Sequence, residues 1–381
     1  MIFKKYNYLL FVLITSMVFF IILFGWHTFW LNIGINTISP NFYDFRKVQQ
    51  LSQSVNIENY NYDQIYTDTI IYPFNYPFLW IYIGKYFKLQ NEYNFNFFII
   101  FFIILYITSF FANIKKYNYF IYILLFLSNS SLLLIERGNV DMIIYVFLFL
   151  SLYLNNDFLR FILYTFLSIL KIFPTVLLFA FKKIKLKILL FYLLISFLIL
   201  FILRNDITYI LINTPVPSLG SYGIKSFHKL SIERLSMNLS SIFIYLVFII
   251  TSLIYYIIFY KNIIFDNLQQ SEILSFKVGA SIYVFTFILM GNFDYRLIFL
   301  IFCIPLIYNI RNTFYRNLNI LLIIFSMNIY YMKIFFGKFG VIINLFSKIF
   351  LFYFLSLILF KILYEELIIS NNKYLKLFKF K

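Results

Sequence analysis

Three short stretches put charged side chains beside long apolar runs. "ERGNVD" holds Glu136, Arg137, Asn139 and Asp141 within six positions, "KIFP" sets Lys171 three residues ahead of Pro174, and "GNFDYR" sets Asp294 two residues ahead of Arg296. A guanidinium is a planar, permanently charged fork suited to phosphate oxygens, and an ammonium is a point charge. The three cations therefore read as a site for one shared anionic ligand. The plainer alternative is internal pairing, Arg137 with Glu136 or Asp141 and Arg296 with Asp294. A fourth stretch, "NFYDFRKVQQ" (41–50), holds Asp44 among Phe42, Tyr43 and Phe45. A carboxylate partly desolvated by aromatic rings becomes a stronger base; the competing reading is a solvated Asp44 paired with Arg46 or Lys47. In the fifth stretch, "YPFNYPFLW" (72–80), Tyr76 and Trp80 flank Pro77. It is either an aromatic belt at headgroup depth or a platform on which a sugar ring stacks.

The elements that must position these groups are membrane helices. The chain of 381 residues is 62% hydrophobic, 24% aromatic and only 12% charged. Windows of about 20 apolar residues, the length that crosses a bilayer, recur along it. They fall near 8–30, 95–112, 118–135, 140–154, 158–181, 187–203, 241–260, 273–290, 295–310, 318–336 and 340–364. The first is too long for a signal-peptide core and lacks a small-x-small cleavage site, so it reads as a retained helix. The expected fold is an all-α polytopic bundle of about 10–12 transmembrane helices in a single integral membrane domain. Two long segments, 31–94 and 204–240, read as extracytoplasmic loops, the first with interfacial helices.

Run 158–181 decides the topology. A lysine at mid-bilayer costs about 3 kcal/mol, and Pro174 disfavours a continuous helix. A turn at Lys171–Pro174 relieves both and places both termini, with the lysines at 182–187 and in the tail, on the cytoplasmic side. Asp44, Glu136, Asp141, Asp294, Arg137, Lys171, Lys229, Arg234 and Arg296 then share the outer face. The net charge of +17 follows from positive-inside flanks and from abundant lysine, and no nucleic-acid partner is expected. The single cysteine, Cys303, and the two histidines, His27 and His228, exclude an intrachain disulfide and Cys- or His-rich metal sites.

Taken in order, an Asp just after the first helix (Asp44), a Tyr-Pro segment (Tyr76-Pro77), Arg-Gly-Asn-x-Asp (137–141) and Lys-x-x-Pro (171–174) resemble the GT-C superfamily of polytopic glycosyltransferases. The match is nearest to family 87, the polyprenol-phosphate-mannose-dependent α-1,2-mannosyltransferases. "DYRLIFLIFCIPLI" (294–307) resembles a late helix of that branch. The resemblance implies a polyprenyl-phosphate hexose donor, mannose-like, and an envelope glycan or glycolipid acceptor. It implies inverting transfer on the outer face of a plasma membrane, of the bacterial inner-membrane type, with Asp44 as general base. Arg137, Lys171 and Arg296 would face the donor phosphate, with Lys229 and Arg234 in reserve. Tyr43, Tyr76, Trp80, Asn139, Asp141 and Asp294 would contact substrate. A monophosphate leaving group is handled by cations alone, so neither metal nor cofactor is expected. Two other readings compete: an O-antigen-type polymerase or ligase, which would use arginines of the large loops, and a lipid-linked glycan flippase or transporter.

Overall fold

The computed structural model describes residues 2–54, 76–112, 119–181, 186–213, 220–235, 241–260, 263–266, 268–289 and 291–371. These residues are almost entirely helical. In order, the elements are α1 (Ile2–Phe24), α2 (Trp26–Asn32), α3 (Tyr43–Ser54), α4 (Leu79–Tyr86), α5 (Glu92–Ala112), α6 (Tyr119–Phe126), α7 (Asn129–Arg137), α8 (Val140–Ser151) and α9 (Asp157–Leu170). A first 3₁₀ segment (Phe173–Phe179) leads to α10 (Leu186–Ile202), α11 (Arg204–Asn213), β1 (Ser221–Tyr222), α12 (Ile224–Leu235), α13 (Ser241–Phe259) and α14 (Gln270–Leu289). Then come β2 (Asn292–Phe293), a second 3₁₀ segment (Asp294–Cys303), α15 (Ile304–Tyr308), α16 (Thr313–Ser326) and α17 (Ile329–Asn371). Segment 31–94 thus contains α3 and α4, and segment 204–240 contains α11, β1 and α12.

This is an all-α membrane protein. Large apolar side chains such as Phe97, Phe197, Ile257 and Phe335 point outward from its helices, a surface suited to lipid rather than water. Among the described residues, three helices are long and apolar enough to cross a bilayer: α5, α14 and most of α17. The number rises to five if the bent pairs α1–α2 and α6–α7 each count as one span. The eleven apolar runs do not become eleven full spans, and the reasons are local. Gly25, at φ 77°, bends the first run by 117°. The run at 140–154 holds a helix of only 12 residues. Run 158–181 breaks at Lys171, and run 295–310 is wound mainly as 3₁₀ helix.

The two 3₁₀ segments are the unusual elements, because such helices seldom exceed 3–4 residues. Each is the return leg of a reversal. Helix α9 ends at Lys171, which is extended (φ −158°), and Pro174 opens the first 3₁₀ segment, where its missing N–H costs nothing. The chain then doubles back, bringing Phe181 within 5.6 Å of the Tyr164 ring on α9. Helix α14 reverses in the same way through β2, and Ser275 on α14 donates to the Phe302 carbonyl of the returning leg at 2.8 Å. Gly279 permits that approach, since a Cβ there would lie 2.5 Å from the Phe299 carbonyl oxygen. The legs meet through Phe173 and Phe299, 5.4 Å apart. Each reversal thereby presents a cation, Lys171 or Arg296, at the same end of the molecule.

Candidate functional site

The centre of the site is the turn between α7 and α8. Ser128 caps α7 by accepting from the Ser131 N–H. The helix ends at Gly138 in the left-handed region, φ 56°, with Gly138 N–H donating to Ile135 O and Asn139 N–H donating to Leu134 O. This is the double-bonded glycine stop. Asn139 then caps α8 through its Oδ1, which accepts from the Asp141 N–H at 2.9 Å. Gly138 also lets the first loop pack close, because a Cβ there would meet Phe42 Cβ at 2.9 Å. We predict that Gly138→Ala lowers stability by about 1–3 kcal/mol, from the left-handed backbone and the overlap together. It should also displace Phe42 and hence Asp44, so thermal unfolding and turnover fall together.

Capping leaves the Asn139 amide free to reach across the chain. Its Nδ2 donates to Asp44 Oδ2 at 2.6 Å and to the Tyr76 hydroxyl at 3.3 Å. Asp44, in the first turn of α3, is half-buried, and its Oδ1 accepts from no described residue. The competing partner Arg46 is engaged elsewhere, with both terminal nitrogens on Glu92 at 2.5 and 2.9 Å. Lys47 is buried one turn along α3. Burial pushes its pKa down, with Arg137 adding to the depression and the Asp44 carboxylate opposing it.

The second part of the site is built on Asp141, whose side chain is fully buried. Lys171 Nζ lies 2.5 Å from Asp141 Oδ1, and Arg296 Nε lies 3.2 Å from Oδ2. Lys171 also reaches Asn139 Oδ1 at 3.4 Å, so one asparagine side chain joins Asp44 to the cation pair. Phe173 lies beneath both cations, 4.6 Å from the Arg296 guanidinium carbon and 5.8 Å from Lys171 Nζ, and the Tyr76 ring is 5.2 Å from that Nζ. Asn292 Oδ1 accepts from a terminal nitrogen of Arg296. Both cations share Asp141, and the Asp44 carboxylate adds its charge from the other side of Asn139.

The other predicted residues take different places. Arg137 pairs with Glu136 at 2.8 Å and donates to the Asn36 carbonyl at 3.3 Å, while Glu136 Oε1 accepts from the Ile38 N–H. Together they clamp the first loop, and Arg137 makes no described contact with Asp141. Arg296 pairs with Asp141 rather than with Asp294, whose two oxygens receive Lys348 Nζ at 2.7 and 2.8 Å. Lys348 also donates to Ser221 O, which pins the β1–β2 ribbon to α17. Trp80 is 1% exposed, stands edge-on to Phe45 and donates to Leu170 O at 2.8 Å. A sugar platform needs an open ring face, so the Trp80 expectation gives way to a role in bracing the Lys171 turn. Tyr43 is half-buried, with Lys47 over its ring at 5.1 Å. Lys229 is half-buried on α12. The side chain of Arg234 and residues 72–75 of the Tyr-Pro stretch lie outside the described residues.

Reasoning from sequence missed Tyr295, Asn292 and Lys348. Tyr295 bonds to the Asn139 side chain and is buried beside Asp44 and Asp141. Its adjacency to Arg296 was the available signal. For Lys348 the signal was a lone lysine inside the apolar run 340–364, a position that demands a buried partner. No family model matches this chain, and neither a curated protein nor a solved structure does.

Proposed function

We propose that this protein is a membrane glycosyltransferase of the GT-C type, with the 10–12-segment arrangement of that superfamily and both termini cytoplasmic. It moves a hexose, mannose-like, from a polyprenyl-phosphate donor to an envelope glycan or glycolipid on the outer face of a bacterial plasma membrane. The observation that carries this reading is the coupling through Asn139 of the Asp44 carboxylate, whose Oδ1 accepts from no described residue, to the cation pair Lys171 and Arg296.

In the proposed reaction, Asp44 Oδ1 takes the proton of an acceptor hydroxyl as that oxygen attacks the anomeric carbon. The bond from that carbon to the phosphate oxygen breaks on the opposite side, so configuration inverts and polyprenyl phosphate departs. The departing phosphate gains a second negative charge, which Lys171 and Arg296 stabilise where it forms. Arg137, held by Glu136 over the first loop, contributes at the rim. Tyr76 and Tyr295 fix Asn139, and through it the direction of the Asp44 carboxylate.

Binding of polyprenyl phosphate to protein in lipid nanodiscs tests the donor assignment. Arg296→Met is expected to weaken that binding by about 10²-fold, the worth of one charge-assisted contact in a dry site. Dolichol-type alcohol without phosphate should bind wild type and variant equally weakly. Equal affinity of wild type and Arg296→Met for polyprenyl phosphate would remove the cation pair from the donor site.

A further inference from the structure

A cavity of about 610 Å³ lies between α13, α14 and α17, away from the charged cluster. Tyr245, Phe248, Leu253, Val284, Phe352 and Phe360 are among the residues of its wall. Its two serine hydroxyls are spent on their own helices, Ser252 on Phe248 O at 2.6 Å and Ser356 on Phe352 O at 2.5 Å. Apart from the hydroxyls of Tyr245, Tyr256 and Tyr364, the cavity therefore offers hydrocarbon contact. Leu253 and Phe360 on its rim are 59% and 54% exposed, so it opens on the outward, apolar side of α13 and α17. What fills such a groove is hydrocarbon from the bilayer.

Length and position narrow the occupant. Helices α13 and α17 run side by side in the same direction, with Phe248 against Phe352 and Lys361 on the Tyr260 carbonyl. From Tyr245 to Tyr256 the groove follows α13 for about 16 Å at 1.5 Å per residue. That is close to half of the ~30 Å hydrocarbon core, the depth reached by one acyl chain. A polyprenyl chain is far longer and would overrun it. One end is lined by Ile224, two residues beyond Tyr222. The Tyr222 hydroxyl bonds Thr286 at 3.0 Å, Asn292 donates to the Thr286 carbonyl at 2.7 Å, and Asn292 holds Arg296. A lipid seated with its chain in the groove would have its head toward this ribbon, which Asn292 joins to Arg296. Val284 and Ile288 line the groove from the opposite side of α14 to Ser275 and Gly279, which face the returning leg.

We infer that the groove seats one acyl chain of the acceptor, which is an acylated membrane lipid rather than a soluble glycan. This rests on the transferase reading above. Photolabelling tests it independently of turnover. The probes are a glycerophospholipid carrying a diazirine on its acyl chain and a polyprenyl phosphate carrying one on its isoprenoid chain, each added to protein in nanodiscs. The acyl probe is expected to label segments 245–256 and 352–364. Ser252→Trp, which fills the groove, should abolish that labelling, and Leu253→Trp at the rim should reduce it. Ile250→Trp, on the outward face of the same helix, should leave it unchanged. Ser252→Trp should also raise the KM for a lipid acceptor by about tenfold or more and leave the donor KM unaltered. In an active enzyme, labelling of the groove by the polyprenyl probe, or an unchanged acceptor KM in Ser252→Trp, would overturn the groove assignment alone. Acyl labelling of a protein that transfers no sugar from any donor would overturn the transferase reading and the acceptor role together, leaving a seat for a bilayer lipid.

Discussion

Asp44→Asn is expected to cut sugar transfer by about 10²–10⁴-fold, the range supplied by a positioned general base. Asparagine keeps the size of the side chain. Its carbonyl can still accept from Asn139 Nδ2, so the 2.6 Å contact and the fold both survive. What disappears is the ability of Oδ1 to hold the acceptor proton. Thermal unfolding should shift little, donor binding should stay within a few-fold of wild type, and the loss should fall on kcat. Loss of folded protein in parallel with activity would instead make Asp44 a structural residue of the first loop. Asn139→Leu provides the companion measurement. It removes both the Asp44 contact and the Lys171 contact, so it should impair turnover and donor binding together, as neither single-role residue does.

The largest stability effect is expected at Asp141. Asp141→Asn leaves Lys171 and Arg296 facing each other in a pocket where their side chains are only 10% and 11% exposed. Removing one partner of a buried ion cluster costs about 3–5 kcal/mol, enough to unfold a marginal membrane protein during extraction. The destabilisation should have two cures. Removing one cation as well, in Asp141→Asn/Lys171→Met, should recover part of the loss because a single cation stays close to Asn292 and Phe173. Adding polyprenyl phosphate should raise the melting temperature of Asp141→Asn more than that of wild type, since the ligand supplies the missing negative charge. A variant as stable as wild type, with no response to phosphate lipid, would show that the two cations do not depend on Asp141.

Much of the site is legible in the sequence because the chemistry is local to short motifs. Asp44, Asn139, Asp141, Lys171 and Arg296 all stand in stretches whose charge is out of place in an apolar chain, and the structure brings these five together. The turn at Lys171 is legible for the same reason, a lysine and a proline where a spanning helix tolerates neither. The pairings are not legible. Asp141 meets Arg296 across 155 residues, and Asp44 meets Asn139 across 95. Nearest-neighbour reasoning therefore gives Arg296 to Asp294, when Asp294 belongs to Lys348 on the last helix. Trp80 misleads because an aromatic residue beside proline at a membrane edge looks alike whether its ring face is open or packed on Phe45. Among the described residues three to five full spans stand where the sequence offers eleven apolar runs, because hydropathy measures apolar content along the chain and cannot register a reversal. Both 3₁₀ return legs are as apolar as the helices they pack against.

As the proposed base of a transfer from a polyprenyl-phosphate sugar, Asp44 must be needed for turnover and not for folding or donor binding. The direct measurement reconstitutes wild type and Asp44→Asn in vesicles of envelope lipids, supplies a panel of radiolabelled polyprenyl-phosphate hexoses, and follows the label and the anomeric configuration of the product. Wild type is expected to move label from at least one donor to a lipid-extractable product with inverted configuration, and Asp44→Asn, equally folded and equally able to bind donor, to move almost none. Transfer by Asp44→Asn at the wild-type rate, or retention of configuration in the product, would remove Asp44 as the base of an inverting transfer.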